Sequence, residues 1–166
     1  PLPTLGGGYN WAESINNLGI ASGISSRPDP GPWPYDAEGV LWDTQADPIA
    51  LTPLGKLPEH RLSRALDVND SGVAVGYSVD AEFTDQRAVV WIDGDIHDLN
   101  SLLPPTSDWR LETANGVNNA GAIVGSGRRA GLPGRRAFLL ITPEVLEAGF
   151  EAGNLAEWSH ADPGQP

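Results

Sequence analysis

The sequence predicts an all-β fold made of three four-stranded antiparallel repeat units, and three observations lead there. A twelve-residue phrase occurs three times, starting at Ala12, Ala65 and Ala114, in the common form A-x-x-[IV]-N-[ND]-x-G-x-x-x-G. A short apolar phrase follows each copy at a constant spacing of 49 residues: Gly39-Val40-Leu41-Trp42, Ala88-Val89-Val90-Trp91 and Ala137-Phe138-Leu139-Leu140. Twenty Gly and fifteen Pro are spread along the chain, which suits short strands joined by turns and works against long helices. Self-similarity at this period marks a repeat architecture, and four strands in such a length is the content of a propeller blade.

Each unit can be read strand by strand. In the second, residues 65–68 form a short strand leading into Asn69-Asp70-Ser71-Gly72. Asn and Asp tolerate left-handed backbone, and Gly adopts positive φ without steric cost, so these four residues read as a hairpin turn. Val73-Ala74-Val75-Gly76-Tyr77 leaves as the second strand, matched by Ile20-Ala21-Ser22-Gly23-Ile24 and by Ala122-Ile123-Val124-Gly125. These runs are apolar without strict alternation, as in a strand covered on both faces. The small residues inside them predict close approach by another sheet's side chains. The apolar phrase is the third strand. Ile49 to Leu54 and Ile96 to Leu102 supply the fourth, and Asp93-Gly94 is the two-residue hairpin signal before it.

The phase of the repeat raises a question of closure. Leu2-Pro3-Thr4-Leu5 matches the fourth strand, since Leu2, Leu51 and Leu99 lie 49 and 48 residues apart, whereas the third unit stops after its third strand. The N-terminal segment therefore either supplies the missing strand within its own chain or leaves both edges to pair with another chain. Three units fall short of the usual four to eight blades, so the arrangement is propeller-like or prism-like, with a six-bladed ring from two chains as the alternative. The β domain spans residues 1–143, with the N-terminal fourth strand followed by units at about 9–54, 62–102 and 111–143. Residues 144–166 break the pattern and read as a tail or linker, or as the start of a following segment. A chain beginning at Pro1 without Met reads as a processed form or a fragment.

Composition narrows the function classes. A formal net charge of −12 argues against nucleic-acid or anionic-membrane binding, and no apolar run reaches membrane-spanning length. With no Cys there is no disulfide framework, thiolate metal site or cysteine nucleophile. His60, His97 and His160 share no spacing, and no H-E-x-x-H or G-x-S-x-G motif is present. Gly6-Gly7-Gly8 lacks the Lys-Ser/Thr and the helix of a phosphate loop. No catalytic and no cofactor-binding residues are expected. Asp67, Asn69 and Asp70 form a weak calcium candidate, because oxygen-rich side chains before a Gly suit a hard cation. Ser14 and Gly116 replace Asp67 in the other copies, so a turn held by side-chain-to-backbone bonds is the competing explanation.

The loops between second and third strands differ most among the units. The first carries Trp33 and Tyr35 in a proline-rich insert, the second Asp80, Glu82 and Asp85, and the third Arg128, Arg129, Arg135 and Arg136. In a cyclic arrangement these loops share one face with aromatic, acidic and basic sectors. That face either closes on itself through salt bridges or contacts a partner subunit or an anionic glycan. Trp109, in another irregular connection, joins Trp33 and Tyr35 as a candidate for stacking on a sugar. Trp42 and Trp91, at equivalent third-strand positions, are expected in the core.

The repeat resembles the HAF repeat of bacterial extracellular proteins. Leu2-Pro3-Thr4-Leu5-Gly6-Gly7 is similar to that family's "DLGTLGG" segment, Asn69-Asp70-Ser71-Gly72 to its hairpin, and Ala137-Phe138-Leu139-Leu140 and Val40-Leu41-Trp42 to its "HAFLW" strand. The His of that strand is replaced, by Glu38 and Arg136. The tail from Phe150 to Ser159 resembles an "FExGxLxxWS" segment of bacterial surface and secreted proteins. The resemblance implies secretion to the cell surface or beyond and a propeller-like β-architecture, and it implies no catalytic activity. Together with the open strand edges it points to a non-enzymatic module for protein–protein association, with self-association foremost and glycan binding as the alternative.

Overall fold

The computed structural model describes residues 1–28 and 36–141, and within them the chain is all-β. The strands are β1 (Asn10–Ile15), β2 (Ile20–Ser26), β3 (Ala37–Asp43), β4 (Ala50–Gly55), β5 (Leu62–Val68), β6 (Ala74–Val79), β7 (Gln86–Ile92), β8 (Asp95–Asp98), β9 (Trp109–Val117), β10 (Ile123–Arg129) and β11 (Arg136–Leu140). They form two sheets. Strands β1 to β4 pair antiparallel in chain order, and so do β5 to β8; one parallel pair, Ala37 with Leu62, joins these sets into an eight-stranded sheet. Strands β9, β10 and β11 make a separate antiparallel sheet. The sequence predicts three separate sets of strands. Two of them share a sheet because the first residues of β3 and β5 come within pairing distance.

The repeated phrase makes the same hairpin each time. Asn16 donates its backbone N–H to Ile20 O at 3.0 Å, Asn69 to Val73 O at 3.0 Å and Asn118 to Ala122 O at 3.1 Å. Gly19, Gly72 and Gly121 close the turns at φ of 78°, 82° and 77°, where a side chain would be strained. The second Gly of each phrase has another cause. A bulge one residue after Ala12, Ala65 and Ala114 shifts the register against Gly23, Gly76 and Gly125. The carbonyl oxygens of Trp11, Arg64 and Thr113 then lie where a Cβ on those glycines would stand. The close approach expected from another sheet comes instead from each glycine's own hairpin partner.

The apolar side chains of neighbouring units meet face to face. Ile20 and Leu41 of the first unit pack against Ala65, Val68, Ala74, Val89 and Trp91 of the second. Val73, Val75, Ala88 and Val90, on the second unit's other face, pack against Ala114, Val117, Ile123 and Phe138 of the third. Trp42 and Trp91 are each 1% exposed, as their positions predict. The fourth element also bridges units: Leu54 of β4 packs beside Trp91, and Leu99 and Leu102 pack beside Phe138. In the second unit this element is a strand only to Asp98. A 3-10 turn over Leu99–Leu102 follows, where the Asp98 carboxylate accepts the Asn100 N–H.

The N-terminal segment departs from the expectation of ring closure. Residues 1–4 pair in no strand; Leu2 and Leu5 pack against Ala21, Val40 and Trp42, and the Trp42 indole donates to Pro3 O at 2.7 Å. Burial of two leucines and satisfaction of a buried indole N–H hold the segment on the first unit. It does not complete the third unit, and β11 has one strand neighbour, β10, among the described residues.

Candidate functional site

The Asn-rich turns stack into a hydrogen-bonded ladder across the three units. Asn16 and Asn69 each use both ends of the side-chain amide, and Asn118 uses its oxygen to cap its own turn. Asn69 Oδ1 accepts the N–H groups of Ser71 and Val73 within its own turn, while its Nδ2 donates to Asn118 O at 3.0 Å in the next. Asn16 does likewise, its Nδ2 reaching Asn69 O at 2.9 Å. A second rung lies outside the first. The Asp70 carboxylate accepts from Asn17 N, from Asn17 Nδ2 and from Asn119 Nδ2 at 3.0, 2.9 and 2.7 Å. The amide hydrogen bonds of Asn17 and then Asn119 hold the Asp70 carboxyl below its ordinary value. A third rung runs through Asp67, which accepts from Ser14 Oγ at 2.6 Å and from Val117 N at 2.9 Å.

These bonds place the three calcium candidates. The oxygens of Asp67, Asn69 and Asp70 point to different neighbours and are occupied by N–H and O–H donors. Among the described residues no group of three or more His, Asp or Glu gathers as a cation site would require. The competing turn explanation accounts for the self-capping Asn. It misses that the same side chains tie one unit to the next, which shows only once the turns are stacked.

The basic sector closes on its own unit. Arg128 and Arg135 both reach Glu112, at 2.8 and 2.6 Å, and Arg129 pairs with Asp108 at 3.0 Å. Burial pushes the Glu112 carboxyl up, but the two guanidinium hydrogen bonds and charges outweigh it and leave the group below its ordinary value. Arg136 is exposed and forms no ion pair among the described residues. In the acidic sector Asp85 takes Arg87 and Arg110 at 2.8 Å each, and Arg87 also holds Asp98 at 2.9 Å. The Arg87 hydrogen bonds lower the Asp85 carboxyl despite partial burial. Arg110 belongs to β9 and Asp85 precedes β7, so this pair clamps the third unit to the second. Of the four arginines proposed as partner contacts, Arg128, Arg129 and Arg135 are thus engaged within the molecule.

The aromatic candidates separate. Trp33 and Tyr35 lie outside the described residues, as does the tail from 144 onward. Trp109 is half-buried against the core between the second and third units. It borders an open depression of about 480 Å³ together with Thr84, Asp85, Arg87, Asn100 and Arg110.

The most unusual surface is apolar, and its residues were absent from the sequence-based candidates. Ile15 is 61% exposed, and the neighbouring Trp11 and Leu18 are exposed as well. On the β9–β11 sheet Val124 and Leu139 are about half exposed, as is Ile141 just after it. Three of them stand at core positions of the repeat: Ile15 corresponds to Val68 and Val117, Val124 to Val75 and Leu139 to Val90, each of these buried under an adjacent unit. The repeat frame itself was the signal that would have singled them out, since the first unit has no predecessor and the third no successor among the described residues. Comparison of the chain with protein-family models, with curated proteins and with solved structures finds no match.

Proposed function

We propose that this chain is a non-enzymatic extracellular β-repeat module that mediates protein–protein association, as a subunit of a bacterial surface or filamentous assembly. Its units, of four strands in the first two and three in the third, are read as propeller-like blades. The observation that carries the reading is the pair of exposed apolar faces, one on the β1 hairpin and one on the β9–β11 sheet, where Ile15, Val124 and Leu139 stand at positions that are buried in the second unit. Exposed apolar patches of this kind mark association surfaces. The resemblance to HAF repeats supports the extracellular setting. Because the charged loops are paired internally, association driven by these faces persists at high salt, unlike one steered by the arginine sector. Sedimentation of the full chain over a concentration series in low and in high salt tests this. A monodisperse monomer at every concentration refutes the proposal.

Glycan binding is a second reading, favoured by one observation: Trp109 borders an open depression that also presents Arg110 and Asn100. Aromatic rings beside polar groups suit a sugar. The polar groups there already bond one another, which makes this the weaker reading. Glycan-array binding that survives both Trp33→Ala and Trp109→Ala would eliminate it.

A further inference from the structure

We infer that the exposed face of the β9–β11 sheet receives the first hairpin of a second copy of this chain, so that copies dock head to tail. This rests on the association proposed above and names its partner and geometry.

The geometry comes from contacts the chain already makes twice. The second unit presents Val75 and Val90 to the third, and they are 0% and 2% exposed. The equivalent residues of the third unit are Val124 and Leu139, at 48% and 53%. In return the third unit offers Val117, at 8%, and the second offers Val68, at 3%, where the first leaves Ile15 at 61%. One end of the stack therefore lacks the hairpin that covers this face elsewhere, and the other end carries such a hairpin with Ile15 uncovered, its Ala21, Val40 and Trp42 lying beneath Leu2 and Leu5. Two copies joined through them repeat, with other apolar side chains, the arrangement the molecule already makes between its units. The contact is heterologous, with different patches from the two partners, and closes into a ring or extends into a filament according to the rotation per copy.

The asparagine ladder has matching open ends. Its polarity is fixed: the Asn side chain of each unit donates to the Asn carbonyl of the next, from Asn16 to Asn69 O and from Asn69 to Asn118 O. Asn118 Nδ2 donates to no residue in the described structure, and Asn16 O accepts there only the Gly19 N–H of its own turn. A second copy brings its Asn16 carbonyl to the Asn118 amide and continues the ladder by one rung in the same sense. It also carries Leu2 and Leu5, at the repeat positions of β4, to the open edge of β11.

The test uses the full chain and three variants, Ile15→Glu, Leu139→Glu and Asn118→Asp. All three residues are exposed, so the folded monomer should melt as the wild type does, and circular dichroism checks that it remains folded. Sedimentation velocity should show concentration-dependent assembly of the wild type. Either Glu variant should weaken self-association by about tenfold or more, because each buries an unpaired charge. Asn118→Asp should weaken it without a shift in melting. An equimolar mixture of Ile15→Glu and Leu139→Glu should form a one-to-one heterodimer, since each retains the face the other has lost. Wild-type assembly that neither Glu variant disturbs overturns this docking and leaves the broader proposal standing. Assembly disturbed by only one of them, with no gain on mixing, is an isologous contact and also overturns it. A wild-type monomer overturns both proposals, including the case in which residues 142–166 cover the face of their own chain.

Discussion

Asn69 does two jobs that Asp can share only in part. Its Oδ1 caps the turn, a task Asp performs equally well, but its Nδ2 donates to the Asn118 carbonyl. An ionised Asp there would set a carboxylate oxygen against a carbonyl with no proton between them. This accounts for Asn at positions 16 and 69, whose amides both donate to the next turn, while the following residue alternates between Asn and Asp. Asn69→Asp should therefore lower stability by about 1–3 kcal/mol in urea unfolding; an unchanged midpoint would remove the ladder's energetic role. Gly76 makes a second residue-scale case. A methyl at its Cα meets the Arg64 carbonyl oxygen, a backbone atom that no rotamer change can move aside. Gly76→Ala should cost about 1–3 kcal/mol by the same measurement. The turn glycines were legible in the sequence from their place after Asn. The cause of the second glycine was not, because the bulge that brings a carbonyl beneath it leaves no mark in composition or spacing.

Between elements, ion pairs tie down the second and third variable loops. Glu112 on β9 collects Arg128 from β10 and Arg135 from the following loop, and Asp85 ties the start of β7 to Arg110 on β9. The sequence located these loops and their segregated charges, but not the pairing, since acidic partners such as Glu112 lie in strands far from the arginine run. The carboxyls of Asp70, Asp80, Asp85 and Glu112 are all held below their ordinary values. A lowered native pKa means that the unfolded chain binds more protons in acid. The stabilisation is then complete above the ordinary carboxylate range and is lost as pH falls through the lowered values. Melting temperature should hold steady from neutrality to about pH 5 and fall below it. Glu112→Gln should lower the neutral melting temperature and flatten the acid limb. A melting curve independent of pH down to about 3 would mean that these pairs form equally in the unfolded chain.

At the scale of the whole molecule, neighbouring units share their apolar clusters. The 49-residue spacing made the order and approximate position of β1 through β11 legible, and it also counted a strand at Leu2–Leu5 that does not form. It left closure undecided, because a repeat pattern fixes what one unit looks like and not the angle at which the next one stacks. The resting place of Leu2 and Leu5 on Trp42 follows from that stacking and could not be read in advance. In linear repeat arrays, stability is set by unit energies and nearest-neighbour interfaces, so units with one covered face open first. The second unit has both faces covered, by Ile20 and Leu41 on one side and by Val117 and Phe138 on the other. Backbone amides of β6 and β7 should therefore exchange most slowly with deuterium, and those of β1 and β11 markedly faster. Uniform protection across all three units in the dilute chain would show a single cooperative block and contradict a stack held by nearest neighbours. At concentrations where the chain associates, protection should rise first in β1 and β11. The end strands are the ones an incoming copy covers, whereas β6 and β7 are already shielded in the free chain.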